Sequence, residues 1–110
     1  MANIFYRKVS ANVGTSATTV GSYTVAASTK AVVLGLTVSN TTGSAVNADV
    51  YINNGSDSYY LVKTAPISAG GALIPIGGDQ KLVLQTGDNV IVKSDSATSL
   101  DVVMSLMEIT

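Results

Sequence analysis

Histidine and cysteine are absent from this 110-residue chain. Their absence removes most nucleophile–base pairs and the usual zinc, copper and haem ligands. Acid–base chemistry would fall to seven carboxylates, Asp49, Asp57, Asp79, Asp88, Asp95, Asp101 and Glu108, and to five lysines. Each carboxylate lies beside turn residues or on the polar face of an alternating segment. Two carboxylates meeting in a cleft would suit glycoside hydrolysis. Such a cleft needs aromatic walls, however, and the chain has no Trp and a single Phe. The expectation is a non-enzymatic protein with no catalytic residue and no cofactor.

The stretch Gly70–Leu84, GGALIPIGGDQKLVL, raises phosphate binding as a second chemistry. A phosphate loop aims backbone N–H groups at the anion and adds the positive end of a helix dipole, so a helix must follow the glycines. Gly77-Gly78-Asp79-Gln80-Lys81 matches neither glycine-loop spacing, Asp79 would repel the anion, and Lys81–Gln85 alternates as a strand. The glycine pairs therefore read as turns around a short strand, Leu73–Ile76, which Pro75 places at a sheet edge. The chain is expected to turn a sandwich corner at Asp79-Gln80 and enter a core strand at Lys81. Oxygen-rich loops at Asn53–Asp57 and Ser94–Ser96 hold residue types that calcium uses, but they match no calcium-loop spacing and read as Asx turns. No metal site is expected.

The balance of charge narrows the partners. Six basic against seven acidic residues give a net charge of −1, and charged residues make up 12 % of the chain. Nucleic-acid binding needs a basic stripe that neutralises several phosphates together, and only Arg7 and Lys8 are adjacent. No apolar run is long enough to span a bilayer, and Met1–Phe5 lacks the basic-then-apolar pattern of a secretory leader. Neither nucleic acid nor membrane is an expected partner. Ser and Thr, about a quarter of the chain, leave a polar but neutral surface that suits packing against other proteins. The sequons at Asn40 and Asn54 are what a Ser/Thr-rich chain produces by chance.

The elements that would position these residues are strands. Period-two alternation runs through Val46, Ala48, Val50 and Ile52, through Val90 and Val92, and through Leu100, Val102, Met104 and Leu106. Val32, Leu34, Leu36 and Val38 are read as one face of a further strand, against Ala31, Val33, Gly35 and Thr37. The pattern predicts strands near 3–10, 17–26, 31–40, 46–53, 58–65, 72–76, 80–85, 89–94 and 99–109. Asn54-Gly55 is a strong hairpin signal between two of them. Val20, Tyr23 and Val25 change parity across Gly21, which a bulge there would repair. The fold class is an all-β, single-domain sandwich over residues 1–110, jelly-roll-like, of about eight or nine antiparallel strands, with 1–10 either a first strand or an N-terminal arm.

Aromatic residues are the candidate interface. Tyr51 falls on the polar face of its strand, and Tyr59 and Tyr60 point to opposite faces of the next, so Tyr51 and one of that pair can lie side by side across the hairpin. Tyr59–Val62 is apolar in both parities, as in a central strand covered on both faces or a strand with one face against another chain. Phe5 and Tyr6, beside Arg7 and Lys8, complete the set.

From Asp49 onward the chain resembles small virion structural proteins of tailed bacteriophages, of the marine and cyanobacterial type. The likeness is carried by Tyr59-Tyr60-Leu61-Val62-Lys63, the Gly78-Asp79-Gln80-Lys81 turn, Gly87-Asp88 ahead of a strand, and the closing strand at Asp101-Val102-Val103. It implies a non-enzymatic particle component, located in the virion and made in the host cytoplasm, where the lack of cysteine fits reducing conditions. The expected role is capsid decoration or cement, or a neck or tail accessory subunit. Its expected partners are the major capsid, neck or tail protein and further copies of itself. The alternative is a receptor- or carbohydrate-binding module of a tail fibre or spike.

Overall fold

The computed structural model describes residues 3–77 and 79–110; Met1, Ala2 and Gly78 lie outside the described residues. Among the described residues there are nine strands and no helix: β1 (Asn3–Val13), β2 (Thr18–Thr24), β3 (Lys30–Asn40), β4 (Val46–Asn53), β5 (Ser58–Ile67), β6 (Ala72–Ile76), β7 (Leu82–Leu84), β8 (Asn89–Ser94) and β9 (Leu100–Ile109). All the pairings are antiparallel, and they form two sheets. The first has the order β1-β9-β3-β6, with β7 also on β3; the second has the order β2-β8-β4-β5. The pairing is nested: first strand with last, β2 with β8, β3 with β6 and β7, and β4 with β5. A long hairpin folded over on itself gives that order, which is the double Greek key of a jelly roll.

The two sheets enclose one apolar core. Leu36, Ile76, Leu84, Leu100, Met104 and Leu106 are its largest fully buried side chains, with Val20, Val33, Val38, Val50, Val90 and Val92 around them. Burying one such side chain is worth about 1.5–3 kcal/mol. β4, β8 and β9 bury the residues that alternation selects, apart from Ile52, which is only partly covered at the end of its strand.

Gly21 (φ +59°) and Ser22 (φ +54°) both adopt the left-handed conformation, and the pairing of β2 with β8 shifts between Thr19 and Thr24. The bulge lets Val20, Tyr23 and Val25 all reach the core despite their mixed parity. The expected core face of β3 needs correction. Ala31, Val33, Leu36, Val38 and Asn40 are buried, whereas Val32 and Leu34 point outward. The pairing with β9 shifts between Val33 and Gly35, and one extra residue there exchanges the faces.

The glycine-rich stretch also departs from expectation. It is not a corner leading into a core strand. Ile76 pairs with Leu36 and Leu82 with Val33, so both β6 and β7 lie along β3 as one interrupted edge strand. Between them the Gln80 N–H donates to the Gly77 carbonyl at 3.2 Å; Gly78, part of the turn expected there, lies outside the described residues. Pro75 sits on this edge, where a missing N–H costs no ladder bond.

At one end of the sandwich, loops are tied by buried polar groups. The Asn40 amide donates to the carbonyls of Ser44 (2.8 Å), Ile67 (3.0 Å) and Ser68 (3.2 Å), while its Oδ1 accepts from the Thr42 N–H (2.9 Å) and hydroxyl (2.7 Å). Ser94 and Ser99 share a buried hydroxyl–hydroxyl bond of 2.6 Å. The Thr41 N–H donates to the Ser99 carbonyl at 2.9 Å and joins the two sets of bonds.

Candidate interaction surfaces

The β4–β5 hairpin is closed by side chains that replace missing ladder bonds. Asn53 Oδ1 accepts from the Gly55 N–H at 2.8 Å, and Asn54 Oδ1 accepts from Ser56 (3.0 Å) and Asp57 (2.8 Å). These two amide oxygens serve the loop itself, as in Asx turns. This turn sets Asn53 opposite Ser58 and brings Tyr51 opposite Tyr60. Their ring centroids lie 4.7 Å apart at 38°, and Lys63 Nζ sits 4.8 Å from the Tyr60 centroid. Burial, then the neighbouring Tyr60 and Asp49, raise the Tyr51 hydroxyl above its ordinary pKa. The row continues across the second sheet as Tyr60–Tyr51–Ile91–Thr19.

β5 is the edge of that sheet, not a strand covered on both faces. Tyr59 is 57 % exposed and Tyr60 47 %. Tyr59 stands on the opposite face of β5 from Tyr60, across from Ile52, and with Ile52, Val83, Thr86 and Asp88 it lines an open groove. Register shifts flank Val50, and the Asp49 carboxylate accepts the Thr64 N–H at 2.7 Å within the bulged segment. Bulges and Pro66 make this edge a poor template for adding a strand. What this edge presents to solvent is its side chains, Tyr59 and Tyr60 among them.

Phe5 and Tyr6 lie on β1, the opposite margin of the sandwich, so the five aromatic candidates form two separate groups. Phe5, 71 % exposed, projects from the outer face of the first sheet opposite Met107. Tyr6 points to the other face. There Lys8 Nζ lies 5.1 Å from the Tyr6 centroid and 5.5 Å from that of Tyr23, and the Tyr23 hydroxyl donates to Glu108 Oε2 at 2.6 Å. Burial first, then the Glu108 bond and charge, push the Tyr23 pKa up. This cluster closes the β1–β2 margin and packs β1 in place.

Alternation alone missed the outer face of the first sheet. Phe5, Met107, Val32 and Val83 form one row across four strands. Val9, Val103 and Thr37 form another, with Ile74 on β6 beside it where the β3 pairing shifts register; Val9, Val103, Val83 and Ile74 are all well exposed. The available signal was that β9 and β3, in VVMSLM and AVVLGL, stay apolar in both parities.

Carboxylates meet in one polar hollow of about 360 Å³ lined by Thr15, Asn47, Asp49, Thr64, Lys93 and Asp95. Asp49 holds Thr64, and Asp95 Oδ1 accepts the Asn47 N–H at 3.0 Å, so both carboxylates serve the backbone. Among the described residues, no group of three or more carboxylates that could hold a metal ion forms, and no helix is long and apolar enough to cross a membrane.

The sequence matches no protein-family model and no curated protein. Among solved structures, the chain is similar to a pentameric capsid protein isolated from metagenomic phage sequences, at 17 % identity and a TM-score of 0.43 over 94 % of this chain. It spans 59 % of the length of that protein. The infectious bursal disease virus Gt strain structure is similar at 12 % identity and a TM-score of 0.47, over 97 % of this chain and 32 % of that one. The jelly-roll assignment rests on this chain's own strand order.

Proposed function

We propose that the chain is a non-enzymatic virion structural protein of a tailed bacteriophage. It decorates or cements the capsid, or serves as an accessory subunit of the neck or tail. The carrying observation is the tyrosine edge: a stacked Tyr51–Tyr60 pair with Tyr59 behind it, exposed on a hairpin whose loop is fixed by its own side chains. Rigid, half-exposed aromatics anchor protein interfaces because they bury large areas at little entropic cost. The neutral Ser/Thr surface and the likeness of the sequence from Asp49 onward to phage virion proteins support the same reading. The partner is the major capsid, neck or tail protein, and multiple copies on a symmetric particle strengthen weak single contacts by avidity.

The test mixes purified protein with particles that lack it. Saturable rebinding with increased heat or salt resistance is expected, and Tyr51→Ser with Tyr60→Ser weakens it by at least about tenfold. Absence of both rebinding and protection rejects the cement role. Saturable binding to a glycan array would instead favour the receptor-binding module, since jelly rolls also serve as lectins.

A further inference from the structure

The outer face of the first sheet is unusual for an antiparallel sheet, whose solvent side normally alternates to polar residues. The second sheet keeps more of that rule: Asn47, Asp49, Asn53 and Lys93 stand on its outer side around the single Tyr60–Tyr51–Ile91 row. On the first sheet, two largely apolar rows run across the strands, Phe5–Met107–Val32–Val83 and Val9–Val103–Thr37, the second with Ile74 beside it on β6. Between them lies a trough formed at its centre by Ser105 and Gly35. Ile74 is 63 % exposed and Val83 59 %, so the ridges stand in solvent.

We propose that this face is covered by a second copy of the same chain, packed sheet against sheet about a two-fold axis that crosses the strands at Ser105. Three observations select that occupant. The face is large enough: five residue rows at about 6.8 Å and four strands at about 4.8 Å give roughly 650 Å² per copy, and the pair buries about 1,300 Å², within the range of specific interfaces. The apolar rows also match under that symmetry. A two-fold at Ser105 sets the Phe5–Val83 row of one copy against the Val9–Val103 row of the other, so apolar side chains meet apolar side chains. The charges follow the same symmetry. Lys30 projects from β3 at one end of the face and Asp101 from β9 at the other, and the two-fold brings each near its opposite in the partner copy. Arg7 stands on the Ser105 row itself, so the two-fold brings the two copies' Arg7 side chains close; at the exposed β1 margin they turn away from each other past the sheet edge into solvent. A two-fold running along the strands would place Lys30 against Lys30, which the charges disfavour.

Tyr51 and Tyr60 stand on the outer side of the other sheet and stay free for the particle. The pairing rests on the proposed function only for why copies meet in the virion, and its test needs no particle.

The experiment is sedimentation equilibrium of the free protein across micromolar to millimolar concentration, with Val103→Asp, Lys30→Glu and Thr19→Asp alongside. Urea unfolding checks that each variant folds. The wild type is expected as a concentration-dependent dimer. Val103→Asp weakens it by at least about thirtyfold, because an unpaired carboxylate is buried. Lys30→Glu weakens it less, and salt shrinks the difference between Lys30→Glu and wild type. Thr19→Asp, on the other sheet, leaves it unchanged. A monomer at every concentration overturns the proposal, and so does a dimer indifferent to Val103→Asp. If the free chain is monomeric and Val103→Asp abolishes particle binding, the face meets a different virion protein and the second copy is excluded. A wild-type dimer that fails to bind particles leaves this inference standing and rejects the proposed function.

Discussion

Replacing Asn40 with an aspartate tests the polar knot with almost no change in shape. The native amide points two N–H groups at three carbonyl oxygens, those of Ser44, Ile67 and Ser68, and the residue is 2 % exposed. The opposite amide orientation would place Oδ1 against those carbonyls, so the donor set fixes the side chain. In Asn40→Asp an ionised carboxylate oxygen faces the three acceptors with no donor to offer. Losing these bonds and leaving buried carbonyls unpaired costs about 1–3 kcal/mol for each unsatisfied group, so a total loss of roughly 3–5 kcal/mol is expected at pH 7. Protonation returns one O–H donor, which raises the folded-state pKa of the introduced carboxyl above its unfolded value of about 3.9. The folded variant then binds more protons than the unfolded chain. Its stability is therefore greatest below pH 4 relative to wild type and falls as pH rises towards the folded-state pKa. Urea unfolding of both proteins between pH 3.5 and about pH 7 measures this directly. A difference below about 1 kcal/mol at neutral pH, or one that does not grow with pH, would refute the role of Asn40 as the tie between the β3–β4 and β5–β6 loops.

Other perturbations follow from the same geometry. Gly21→Ala places a Cβ 2.6 Å from the Lys8 Cβ and keeps a φ of +59°; about 2 kcal/mol of destabilisation is expected from strain and displacement of β1, and an unchanged urea midpoint would dispute the close approach of β1 and β2. Tyr23→Phe removes a 2.6 Å bond to Glu108 and should cost about 1.5–3 kcal/mol. The raised Tyr23 pKa also means that wild-type stability is fully present below about pH 10 and declines above it, as the unfolded chain loses its proton first. In Tyr23→Phe that alkaline decline should shrink, which urea unfolding at rising pH will show. Met104→Ala, at the centre of β9 and fully buried, should cost about 2–5 kcal/mol by the same assay.

Strand positions were legible because period two and turn residues act locally, and the nine expected segments match the nine strands closely. The bulge at Gly21 could be read because apolar residues visibly changed parity there. The shift at Leu34-Gly35 in β3 was hidden because Val32, Val33, Leu34 and Leu36 are apolar on either face. Strand order was not legible: β1 meets β9 across almost the whole chain, and no local pattern encodes that pairing. The same limit divides the surfaces. Tyr51 and Tyr60 meet through one short hairpin and could be found by counting. The Phe5–Met107–Val32–Val83 row needs the order β1-β9-β3-β7 before its members become neighbours. Gly70-Gly71 signalled a turn, which the Gly71 N–H closes on the Ser68 carbonyl, but only the pairing with β3 shows that β6 and β7 are one interrupted edge strand.

Hydrogen–deuterium exchange of the protein, free and bound to particles that lack it, tests the central claim most directly. The account expects new protection on binding over residues 46–53 and 58–67, the strands that carry Tyr51, Tyr59 and Tyr60. Protection confined to the loops at the Asn40 end, with the tyrosine hairpin exchanging as in the free protein, would contradict it.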